Sequence, residues 1–154
     1  TQKVKKAAKL PVIIKLSPNV TDIAAMAKAA EAGGADAVSL INTLLGMKID
    51  IKTRRPVLHN NVGGLSGPAV KPVAVRMVWQ VRNAVKIPII GMGGIMTGED
   101  AIEFFLAGAD LVQVGTANLA DPMACIRVLD GIDEYKKTNG IKEISEIIGK
   151  VESY

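Results

Sequence analysis

A disulfide framework is excluded at once, because the 154 residues hold a single cysteine, Cys125. One thiol closes no internal bridge, and its isolation fits a reducing compartment. Aromatic residues are also scarce, at 3% of the chain, which leaves little with which to stack bases. The 19 basic residues outnumber the 15 acidic ones by only four and lie scattered along the sequence. A nucleic-acid groove would need them gathered and interleaved with aromatics. No apolar run approaches the roughly 18 residues of a membrane helix, and the basic opening TQKVKKAAKL lacks a signal-peptide core. Neither nucleic acid nor membrane is expected as a partner, and the cytoplasm is the expected location.

What is abundant is aliphatic. Hydrophobic residues make up 49% of the chain, and glycine fills 15 positions. That composition supports one core and is too short for two ordinary domains, so residues 1–154 form a single, partial domain in this reading. β-Branched strands under Ala-rich helices suit parallel α/β layers. The cluster Lys3, Lys5, Lys6 and Lys9 marks the last turns of a helix, where cations favour the negative end of the dipole. The chain therefore reads as entered midway through a helix, as a truncated sequence would be.

Four strand–helix pairs follow. PVIIKLS is the first strand, and its helix runs from about Asp22 to Ala32, with Thr21 as N-cap and the glycines at 33–34 as stop. ADAVSLIN is the second strand. The helix PAVKPVAVRMVWQVRNAV precedes the third, IPIIGMGG, and GEDAIEFFLAG precedes the fourth, ADLVQVGTA. Helices are expected near 122–137 and 142–149, with Cys125 as a buried, inert thiol in the first of them. Strand starts near 12, 37, 88 and 111 average about 33 residues apart, close to the roughly 31 per unit of a 250-residue eight-stranded barrel. Four parallel βα units make half a (β/α)8 barrel. One connection, Asn42 to Gly67, far exceeds the usual βα loop of about 2–6 residues; within it, IDIKTRRPVLHN suits a small hairpin.

Polar residues and glycines gather at the C-terminal ends of all four strands: Lys15 with Ser17, Asn42 with Thr43, Gly91 through Gly94, and Gly115 with Thr116. In barrels and open α/β sheets that edge binds ligands. The pair GGI (93–95) and GT (115–116) suits a phosphate, since glycine lets backbone N–H groups approach its oxygens. Two ordinary turns would look the same. Asn42 serves equally as a ligand contact or a turn cap, Ser66 or Gly67 caps the following helix or meets an anion, and His59 reads as an exposed loop residue. Lys15 is the anomaly. Alternation puts it with Ile13 and Ser17 on one face of the first strand, the barrel interior, where an unpaired ammonium costs several kcal/mol. An anionic ligand at the rim would relieve that cost, as would snorkelling at a strand edge.

The stretches PVIIKLSPNVTDI, LINTLLGM, residues 53–77, IPIIGMGGI and VQVGTAN together resemble the dihydroorotate dehydrogenases, the flavin enzymes of pyrimidine synthesis. The resemblance runs from about residue 10 to 137, and LINTLLGM and GGLSGPA favour the NAD-linked subclass of the soluble class 1 enzymes. It implies the C-terminal half of a TIM barrel holding FMN. Lys15 would face the flavin ring near its N1–C2 carbonyl region, Ile41 would touch it through its backbone, and Gly67 would contact the flavin side. Gly93, Gly94, Gly115 and Thr116 would hold the phosphate, while Asn42 and Thr43 would bind orotate or dihydroorotate. The family's catalytic base belongs to the missing N-terminal half, so this chain would supply no catalytic residue and be inactive alone. No metal is implied. The implied partners are that missing half, further copies in a homo-oligomer, and an electron-transfer subunit carrying FAD and an iron–sulfur cluster, for which no residue here supplies ligands. Two alternatives stand beside this reading: a flavoenzyme like dihydropyrimidine dehydrogenase, or a phosphate-binding half-barrel of an isomerase or lyase.

Overall fold

Runs of Val and Ile too short for helices, each followed by an Ala-rich amphipathic stretch, form a parallel sheet packed under helices. The computed structural model describes residues 1–152 and 154. Its central sheet has four parallel strands in the order β1 (Ile13–Lys15), β2 (Ala37–Leu40), β7 (Ile89–Met92) and β8 (Leu111–Gln113). The crossovers are α2 (Ile23–Ala32), α3 (Lys71–Arg82) and α4 (Gly98–Ala107). A short α1 (Gln2–Ala7) precedes the sheet; α5 (Ala117–Ala120) and α6 (Ala124–Asn139) follow it. The expected half-barrel of four βα units is the observed architecture.

The long connection carries two small antiparallel ribbons. In one, β3 (Leu44–Gly46) pairs with β6 (Gly63–Leu65); in the other, β4 (Ile49–Asp50) pairs with β5 (Arg55–Pro56). The second is the expected hairpin. A 3-10 turn, Pro68–Val70, leads from the arm into α3, with Pro68 in its first turn.

Three local expectations are corrected. The N-cap of α2 is Asp22, whose carboxylate accepts the Ala25 N–H at 3.0 Å, and not Thr21. Residues 142–149 form only a 3-10 turn, Ile144–Glu146, because Gly140 in a left-handed conformation ends α6 and Gly149 (φ +70°) ends the segment. Cys125 is exposed, since α6 buries Ala124, Val128 and Ile132 and turns the intervening residues outward.

The pairing register separates the two faces of the sheet. Ile14, Leu16, Val38, Leu40, Ile89 and Val112 point to the helices. Ile13, Lys15, Ser39, Ile90, Met92 and Leu111 share the opposite face, the barrel interior. Ile89 and Val112 belong to the helix side, while Ile13 and Met92 face inward. Ile13 and Leu111, on the two outer strands, are exposed. Phe104 fills the centre of the helix layer, fully buried. It fits because Gly91 has no side chain: a Cβ there would stand 2.5 Å from the phenyl ring.

Helices α4 and α6 cross with backbone against backbone at Gly98 and Gly131. A Cβ on Gly98 would meet the Gly131 Cα at 2.6 Å, and backbone cannot step aside as a flexible side chain can. Gly98→Ala is therefore expected to destabilise the protein by about 1–3 kcal/mol, the usual penalty for overpacking. Thermal denaturation beside Gly46→Ala, whose new methyl would find its nearest neighbour at 3.7 Å, measures it: equal melting temperatures would show that the crossing is loose.

Candidate functional site

A parallel sheet sends every strand out at the same edge, so the four βα loops converge there. They enclose a cavity of about 560 Å3, within the range of small-molecule sites. Lys15 enters from β1; Ile41, Asn42 and Thr43 come from the end of β2; and Ser66 and Gly67 come from the arm. Gly93 and Gly94 follow β7, and Gly115 and Thr116 follow β8. The residues that the family resemblance links to cofactor and substrate thus line one space, whereas Ser17 and Gly91, also at the strand ends, do not. Lys15 lies on the interior face opposite Ser39, a polar residue of the core only 5% exposed.

The glycines are not equivalent. Gly93 and Gly94 have φ of +126° and +81°, a region that L residues rarely adopt. A Cβ on Gly94 would also lie 2.8 Å from the Gly67 carbonyl oxygen, so this glycine lets two loops touch. Gly115 faces open space, with nothing within 4 Å of where a Cβ would stand. The cradle that a side chain would simply fill is at Gly115. Its neighbour Thr116 donates through Oγ1 to Ser66 Oγ at 3.0 Å, joining the last loop to the arm. Ser66 is therefore part of the site. Gly91 is not: it serves Phe104 on the other side of the sheet.

Asn42 partly fulfils its plainer role, since its Oδ1 accepts the Thr43 N–H at 2.9 Å. What holds this turn is Asn19, which the sequence reading passed over. The Asn19 amide nitrogen donates to the Thr43 carbonyl (3.0 Å) and its oxygen accepts the Leu45 N–H (2.9 Å), tying the β1 loop to the start of the arm. Asn after Pro, in a βα loop, was the available signal. Gly64 gives the Thr43 side chain its room, because a Cβ there would collide with the Thr43 side chain. His59 is exposed on the arm and outside the cavity. Cys125 does line it, from the first turn of α6 beyond the Gly115–Thr116 loop.

Behind the glycines stands an ion-pair network. Lys71, the first residue of α3, donates to Asp100 Oδ1 (2.6 Å) and to Glu103 Oε1. Asp100 closes a capping box with Thr97, and its Oδ2 accepts the N–H groups of Met96 (2.8 Å) and Thr97 (2.9 Å). The carboxylates hold the Lys71 ammonium above its usual range, with Asp100 the stronger influence. Partial burial pushes the Asp100 carboxyl up, but the Lys71 ammonium and the two backbone donors outweigh it and hold it below 3.8.

Residues 1–135 match the family model described as dihydroorotate dehydrogenase. The chain belongs to this family. A relative in Alkaliphilus oremlandii, named dihydroorotate dehydrogenase B (NAD(+)), catalytic subunit, is 66% identical over 98% of this chain and 50% of its own length. A Bacteroides fragilis relative of the same name is 62% identical over the same shares. The chain thus spans about half the length of these curated relatives. Among solved structures, dihydroorotate dehydrogenase from Eimeria tenella, in complex with ferulenol, superposes with a TM-score of 0.76 at 28% identity. It covers 91% of this chain and 38% of its own. Membership of this family removes the isomerase and lyase alternative.

A pH dependence follows from Asp100. Its carboxyl is depressed in the folded protein, so its stabilisation is fully present above the unfolded value near 3.8 and lost as pH falls through the lower native value. Asp100→Asn is expected to lower the melting temperature at pH 6, with the gap from wild type narrowing toward pH 3. A gap that stayed constant over that range would mean the charge contributes nothing.

Proposed function

We propose that this chain is the C-terminal half of an FMN-dependent dihydroorotate dehydrogenase of the NAD-linked type, oxidising dihydroorotate to orotate for pyrimidine synthesis. The observation that carries the proposal is the single cavity in which Lys15, Asn42 with Thr43, and the glycines of the last two strands all meet. Gly67, Gly93, Gly94, Gly115 and Thr116 fit a phosphate and its sugar chain: they offer backbone N–H groups, a hydroxyl and, at Gly115, unfilled space. Family membership and the names of the relatives that are 66% and 62% identical support the reaction.

Bound FMN would supply the two-electron acceptor for the hydride leaving C6 of dihydroorotate. Lys15 would carry fixed positive charge at the rim of the interior face, beside the flavin ring, where reduction adds negative charge. Lys15 is exposed in this half of the barrel, so the burial cost expected from the strand pattern does not arise here. The backbone of Ile41 would border the ring. Asn42 and Thr43 would bind the substrate ring and carboxylate, held in register by Asn19 from the neighbouring loop. The base that takes the C5 proton belongs, in this reading, to the N-terminal half of the barrel. Cys125 stands on the phosphate side of the cavity and is not assigned that role. Single-domain residues 1–154 would thus be completed by an N-terminal half in the cytoplasm, in a homo-oligomer. An electron-transfer subunit with FAD and an iron–sulfur cluster would pass electrons to NAD, as the relatives' designation "catalytic subunit" suggests.

Rapid-mixing flavin reduction in the completed barrel is the test. Lys15→Ala is expected to slow reduction on the order of 100-fold, the size of one lost charge-stabilising contact, with FMN content nearly unchanged. Reduction at the wild-type rate under saturating dihydroorotate would remove Lys15 from this role.

Gly115→Val places a branched side chain in the open cradle without backbone strain, and should empty the purified protein of much of its FMN. Gly94 is the poorer probe, because any side chain there also strikes the Gly67 carbonyl. Full flavin content in Gly115→Val would make Gly115 an ordinary turn residue.

A further inference from the structure

Lys71 lies behind the glycine loops, and its ammonium is already paired. Its side chain is 21% exposed and lies against the Asp100 carboxylate, itself 15% exposed, and against Glu103. Asp100 divides its two oxygens between different jobs. Oδ2 holds the backbone of Met96 and Thr97, the continuation of the Gly93–Gly94 loop; Oδ1 holds Lys71, at the start of α3. Four residues before Lys71 stands Gly67, which has φ of +93° and whose carbonyl accepts the Val70 N–H at 3.1 Å. The same carbonyl, with the backbone nitrogen and Cβ of Lys71, crowds the hydrogen face of Gly94. Two glycine loops from different βα units therefore touch at one point, and the Lys71–Asp100 pair fastens them just behind it.

We infer that Lys71 is a positioning residue for phosphate recognition, fixing the gap between the Gly67 and Gly93–Gly94 loops through Asp100. It is not itself a phosphate ligand, because its ammonium is already committed to two carboxylates. The inference rests on the FMN reading above, and riboflavin, which lacks the phosphate, separates the two. If the clamp sets the phosphate cradle, Lys71→Met loosens the grip on FMN and leaves the grip on riboflavin unchanged. A merely structural lysine would weaken both alike.

The experiment is a fluorescence-quenching titration of apoprotein, in the completed barrel, with FMN and with riboflavin. Wild type is expected to prefer FMN. Lys71→Met should lower FMN affinity on the order of tenfold, the size of one charge-assisted contact, with riboflavin affinity within about twofold of wild type. Lys71→Arg, which keeps the charge and offers several donors, should restore most of the FMN preference. Asp100→Asn should reproduce the loss, and combining it with Lys71→Met should add little more. If Lys71→Met does not fold, Glu103→Gln at the exposed end of the network gives a milder version, with a smaller fall in FMN preference. Equal losses for both ligands, or an unchanged FMN preference in every variant, overturn the role of Lys71. A wild-type protein that binds riboflavin as tightly as FMN overturns the FMN reading itself.

Discussion

A parallel strand cannot return to its neighbour without crossing over the sheet, and in this chain every consequence starts there. The crossovers force all four strands to leave at one edge and all to enter at the other. Each edge then acquires its own chemistry. At the exit edge the chain spends its glycines, Asn42, Thr43, Thr116 and Lys15 around one cavity. Such residues pack poorly and stabilise little, so the entry edge has to hold the sheet together.

It does so with carboxylates on backbone donors. Asp36 accepts the Val12 N–H at 2.6 Å, where β1 begins, and pairs with Lys5. Glu31, at the end of α2, accepts the N–H groups of Lys86 and Ile87 at 2.8 and 3.2 Å, ahead of β7. Asp110 accepts the Ile89 N–H at 2.7 Å and receives Arg82, whose Nε also donates to the Gly108 carbonyl. Each carboxylate fastens a strand entrance to an element from the adjacent unit. A charge-assisted hydrogen bond to backbone is stronger than a neutral one, and three carboxylates make four of them along the entry edge. The Lys5 ammonium and the Val12 N–H hold the Asp36 carboxyl below its ordinary value.

Much of this was legible beforehand. Period-two alternation assigned Lys15 to the interior face, and unit spacing indicated half a barrel, because both signals are set by backbone geometry alone. The residues that went astray depend on what lies across a gap. Thr21 and Asp22 are both competent caps, and only the direction in which the loop arrives selects Asp22. Gly91 sits among ligand-side glycines in sequence, yet its vacancy belongs to Phe104 on the far side of the sheet. Cys125 looked buried until the apolar stripe of α6 proved to run through Ala124, Val128 and Ile132. Asn19 bonds to Thr43 and Leu45, more than twenty residues away, so the local Pro–Asn pattern marks a turn but not its partner across the site.

The contact between Gly98 and Gly131 bears on how this chain can be recombined with its relatives. A Cβ on Gly98 would strike the Gly131 backbone and one on Gly131 would press tightly on Gly98, and the two lie in different segments joined by β8 and α5. A chimaera whose junction falls between them draws one glycine from each parent. It keeps the helix crossing only where both parents carry glycine at the position they donate. Junctions before residue 97 or after residue 131 pass the pair intact, and with it the Thr97–Asp100 capping box that starts α4. Residues 97–131 thus behave as one heritable block.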